Sequence, residues 1–267
     1  MAPLTLHAIR EPGIRRQADS ATTKMLDLWK TLCVEKIGQP IEVMAYDRRE
    51  YPFHGVNTHV GKFNSSIPQP FQDTMVLMLL LESVKPFDLM IVTHELGHWV
   101  LRLQGQKIMM NAAPDVLTKK RDYSAFPDVC THPALHKLVR SLGHDTAKFI
   151  DKKVAADIGL LKTKSDPASE KAQAEEALYY ADDLINCSSS NRTGLERKLS
   201  SRMPKTAIVA QQIVSISQRR DITKIEEALP FSKDIIQELN LLGNWYESGE
   251  VDLLKRQIAE ARLRTRH

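Results

Sequence analysis

The chemistry in this chain is concentrated in His94-Glu95-Leu96-Gly97-His98. If this segment is helical, two histidines four apart sit one turn above each other on the same face. Their imidazoles can then converge on one ion, which is the geometry a His/His zinc site requires. Glu95 follows the first histidine and projects beside the metal. A carboxylate there can take a proton from an attacking water and later hand it to a leaving group. Bound zinc would supply the rest, lowering the pKa of its water towards ~7 and polarising a carbonyl oxygen.

Those side chains need a rigid helix, and the surrounding residues provide one. Pro86 suits a first helical turn, and Gly105 is placed as the stop after Gln104. Leu89, Val92, Leu96, Trp99, Val100 and Leu103 cover the faces away from the histidines, so the helix buries itself and leaves one edge for a cleft. Gly97 costs about 1 kcal/mol relative to alanine, which makes sense if another backbone passes close by.

Upstream, residues 20–37 read as a helix capped by Ser20, and residues 41–46 as a strand. Residues 48–70 are rich in Pro, Gly, Asn and His, with a short strand at 59–63. The apolar run 71–81 fits a buried strand or a buried helix. Downstream, helices are expected at 133–142 with Pro133 in its first position, at 144–161 and at 168–186. Residues 187–192 (Cys-Ser-Ser-Ser-Asn-Arg) read as a linker, and further helices follow, interrupted at Pro204, Pro230 and Gly243. The fold class is α+β and mostly helical, with a small early sheet. The expected organisation is a catalytic domain over residues 1–190 and a helical region over 191–267 that serves as scaffold or interaction surface.

Composition narrows the functional classes. With 37 basic and 33 acidic residues in 267, charge points to no polyanionic partner, so no nucleic acid is expected. Residues 1–16 hold Arg10, Glu11, Arg15 and Arg16 without an apolar h-region, so no secretory signal is expected there. The apolar run 75–81 is far short of the ~20 residues a membrane helix needs. Cys33, Cys130 and Cys187 are scattered and form no C-x-x-C pair, which argues against a disulfide framework or a thiolate zinc site. A reducing, cytoplasmic setting is the expectation. No phosphate-binding glycine loop and no G-x-S-x-G elbow is present.

Val92-Thr93-His94-Glu95-Leu96-Gly97-His98 resembles the active-site helix of the zincin metallopeptidases. The resemblance covers about 15 residues strongly and the rest only in element order. It implies one Zn²⁺ held by His94 and His98, Glu95 as general base, and a small twisted sheet beside the helix. The metzincin continuation is absent, because position 101 is Leu and position 104 is Gln. The likeness is therefore to the gluzincin branch.

A catalytic zinc takes three protein ligands. His132, in Cys130-Thr131-His132-Pro133, is the favoured third, held just before a helix. Glu175 and Glu176 are the alternative: their helix resembles the second zinc helix of gluzincins and of small regulatory peptidases of the phage-repressor type. His136, His144 and Asp128 complete the candidates, and Tyr179 or Tyr180 could donate to an oxyanion. The function expected is a zinc metallopeptidase acting on a peptide or protein. The rival is a regulatory or effector protein of the same fold that binds one protein partner, with restricted cleavage or none.

Overall fold

A computed structural model describes residues 8–47, 65–71, 74–81, 84, 88–112, 123–249, 251–252, 254–256 and 258–259. The expected strand at 59–63 and the helix start at Pro86 lie outside the described residues. The chain divides into two compact units, residues 1–105, 141–144 and 249–267 in one and residues 106–140 and 145–248 in the other. The fold is α+β and mostly helical, as composition and periodicity predict.

In the first unit, β1 (Ile9–Arg10) leads into α1 (Glu11–Arg15) and α2 (Ser20–Leu32). Asp19, one residue before the expected cap Ser20, accepts a hydrogen bond from the Thr22 N–H and caps α2. A π-helical turn over Cys33–Ile37 extends α2 and ends at Gly38, whose φ of 86° favours glycine. Three more strands, β2 (Glu42–Asp47), β3 (Ser65–Phe71) and β4 (Thr74–Leu81), join β1 in one sheet of order β1-β2-β4-β3. The ambiguous apolar run is thus a strand. β4 lies between β2, parallel to it, and β3, antiparallel. Every residue from Met75 to Leu81 is buried, so both faces of β4 are covered and no alternation is visible in its sequence. The prolines of β3 at 68 and 70 fall on an edge strand, where a missing N–H costs least.

Helix α3 (Leu89–Leu103) packs on α2 and on β3 and β4. Asp88 caps it through the Ile91 N–H, and Gly105, at φ 99°, stops it after Gln104 as its position suggests. Val92, Leu96, Trp99, Val100 and Leu103 are all buried.

The second unit pairs β5 (Met109–Asn111) with β6 (Trp245–Glu247), and its other described elements are helices. Its helices are α4 (Phe126–Leu142, to Arg140 in this unit), α5 (Thr146–Leu160), α6 (Glu170–Asn186), α7 (Ser189–Arg202), α8 (Pro204–Ser217) and α9 (Ala228–Glu238). Phe126, Leu178, Tyr180, Leu199, Ile213 and Phe231 form part of its core.

Three readings of the sequence change here. Pro133 does not open a helix; it lies inside α4, which begins seven residues earlier. An internal proline costs about 3 kcal/mol. Val129, Leu135 and Val139 of the same helix are fully buried, and each contributes about 1.5–3 kcal/mol, so packing outweighs the break. The stretch read as a linker opens α7 at Ser189. Pro230 falls at the third position of α9 rather than between helices, whereas the expected break at Pro204 is present, with α7 ending at Arg202 and Pro204 opening α8. Among the described residues no helix is long and apolar enough to cross a membrane. All three cysteines are buried and free, and burial pushes the Cys33 thiol up to about 12.

Candidate metal centre

On α3 the 3.6-residue period does what the spacing requires. His94 and His98 are half-buried, their rings edge-to-face with centroids 5.0 Å apart. Glu95 sits between them in sequence and is buried at 9% exposure. The residue before His94 fixes the azimuth of the helix. Thr93 Oγ1 lies 2.8 Å from the Leu89 carbonyl, 3.0 Å from Thr22 Oγ1 on α2 and 3.0 Å from His144 Nε2. Turning α3 would break this set, so the face presenting both imidazoles is held by tertiary contacts as well as by helix geometry. His144, one of the third-ligand candidates, is engaged in this anchor.

His132 occupies the second turn of α4 rather than the loop expected for it. Its Nδ1–H donates to Asp182 Oδ2 on α6 at 2.7 Å, and its Nε2 lies 3.9 Å from Asp128 Oδ1. Burial by itself would lower the His132 pKa, but the negative charges of Asp182 and Asp128 outweigh it and raise the group to about 9. For Asp182 the balance runs the other way: burial would raise it, and His132 and Lys153 hold it below the usual carboxylate range.

Asp182 is itself oriented. Asn186 Nδ2 donates to the Asp182 carboxylate and to its backbone carbonyl, both at 2.8 Å. That turns Asn186 Oδ1 towards His136 Nδ1, 3.1 Å away, so the His136 proton resides on Nδ1. His136 stacks on His132 with centroids 5.1 Å apart, and burial, followed by the charge of His132, pulls its pKa down to about 4.

One ring nitrogen from each of His94, His98 and His132 lies within 4.8 Å of the others, so these three can hold a metal ion. The donor set suits a borderline cation such as Zn²⁺, for which imidazole is a common ligand. Asp182 supports that fit. A carboxylate holding Nδ1 fixes the ring and leaves Nε2 to coordinate, the arrangement that orients metal-bound histidines generally.

Glu175 and Glu176 are used elsewhere: Glu175 accepts from the Tyr123 N–H at 3.0 Å, and Glu176 pairs with Lys164 at 2.9 Å. Tyr179 donates to Asp157 at 2.7 Å beneath Lys153, which also pairs with Asp183, and Tyr180 is core. Both tyrosines therefore read as structural. Sequence reasoning did not single out Asp182 or Asn186. Their one local signal is a spacing of four on a helix, and nothing ties them to a histidine 50 residues away.

No protein-family model matches the chain, and no curated protein and no solved structure matches it either.

Proposed function

We propose that the chain is a zinc-dependent peptidase of the cytoplasm, acting on peptide or protein substrates. The reading rests on one observation: three histidine nitrogens able to share an ion include the two that flank a buried glutamate on one helix. In this reading His94, His98 and His132 hold Zn²⁺. When bound, zinc polarises a water and the substrate carbonyl. Glu95 accepts the proton of the attacking water at its carboxylate and returns it to the departing amine. Asp182 keeps the His132 ring in one tautomer and one orientation.

The test pairs zinc content with hydrolysis of an unfolded protein substrate. Glu95→Gln is expected to keep about one zinc per chain and to lose activity by about 10²–10⁴-fold. Unchanged hydrolysis in that variant would overturn the mechanism. No hydrolysis by the zinc-loaded wild type would favour the partner-binding alternative.

A further inference from the structure

A cavity of about 270 Å³ opens in the second unit, walled by α4, by the end of α6, by the start of α7 and by the last turn of α8. Its lining contains two arginines, Arg140 and Arg192, and no carboxylate. Among the described residues neither guanidinium has an ion-pair partner. Arg192 donates from Nη2 to the Ile185 carbonyl at 3.4 Å, while its Nε is buried without a hydrogen-bond partner. A buried guanidinium N–H left unmade is costly, and the buried Arg192 Nε beside the solvent-reaching charge of Arg140 gives the hollow two strong donor groups with no anion among its lining residues. The rest of the wall is mixed: Pro133, Ile185, Val214 and Ile222 give it one apolar side able to take a short hydrocarbon, beside five polar residues.

We infer that this cavity binds a small organic carboxylate, its head between Arg140 and Arg192 and its tail against Ile185, Val214 and Ile222. A planar guanidinium matches a carboxylate with two parallel N–H bonds, which favours that head group. The apolar wall favours a ligand with a short tail over a fully hydrated anion. His136 also lines the cavity, and through Asn186 and Asp182 it belongs to the network that holds His132. The inference stands on the cavity alone and does not depend on peptidase activity.

Butyrate, acetate and inorganic phosphate are titrated into the full chain, with and without added zinc, and binding is followed by NMR. Butyrate is expected to saturate and to bind more tightly than acetate. Arg140→Gln should weaken it by about tenfold or more, the loss expected for a charge-assisted hydrogen bond. Arg140 is exposed and makes no ion pair among the described residues, so this variant removes its charge with little cost to packing. Gln218→Trp, at the exposed rim, should block the cavity without touching the arginines. Binding kept in both variants, with circular dichroism unchanged, would overturn the inference. So would phosphate binding alone, or no saturable binding of butyrate.

Discussion

Helix α3 and the α4–α6 pair each contribute to the candidate metal centre, and they do so by different means. On α3 the two histidines and the glutamate lie within five residues, and helix periodicity alone puts both rings on one face. On α4 the single histidine is set by Asp182, fifty residues later, which is in turn set by Asn186. The first arrangement is local and the second depends on two helices packing in register. A local arrangement survives small shifts of the fold. A non-local one reports them.

Removing the α3 pair should have the largest effect. His94→Ala with His98→Ala is expected to lose bound zinc altogether, read by elemental analysis on the purified chain. Zinc retained at one per chain would place the ion elsewhere and dissolve the comparison.

The α4–α6 side should respond more gradually. Asp182→Asn keeps the shape but removes the charge that orients His132. It should weaken zinc by about 10–100-fold, the usual cost of losing a carboxylate behind a histidine ligand, measured by competition with a chelator. Glu175→Gln, whose carboxylate serves the Tyr123 N–H, should leave zinc affinity unchanged. If Glu175→Gln weakens zinc and His132→Ala does not, the third ligand lies on α6 instead.

The smallest effect concerns the scaffold of the second unit. Asp166 accepts hydrogen bonds from the Lys205 and Thr206 N–H groups and from Thr206 Oγ1, which caps α8. Asp166→Ala should cost about 1 kcal/mol in chemical denaturation, with zinc binding intact. Desolvation would raise the Asp166 pKa, but the hydrogen bonds from Thr206 and Lys205 outweigh it and hold it below the usual carboxylate range. A depressed folded pKa adds stability above the ordinary carboxylate pKa, and that stability is lost as pH falls through the folded value. The wild type and Asp166→Ala should therefore converge in stability at strongly acidic pH. A gap that stays constant there would mean the cap acts without its charge.

Much of this was legible in the residues. Helix α3, its stop at Gly105, its buried face and its paired histidines follow from periodicity and a positive φ that only glycine adopts cheaply. The helix-rich fold follows in the same way. The 71–81 run was not decidable, because a strand buried on both faces has no alternation to read. Pro133 misled for a related reason: propensity marks a boundary, and burial of Val129, Leu135 and Val139 overrode it.

The sequence by itself determined the chemistry on offer: two imidazoles and a carboxylate at a spacing that one helix turns into a single face. Only the tertiary structure decided what His132 does, since its orientation comes from a buried hydrogen bond between two helices. It also decided that Glu175 accepts from the Tyr123 N–H and Glu176 pairs with Lys164, and that Arg140 and Arg192 line one hollow. Local periodicity is written in neighbouring residues, whereas a contact across fifty residues exists only once the core has closed around it.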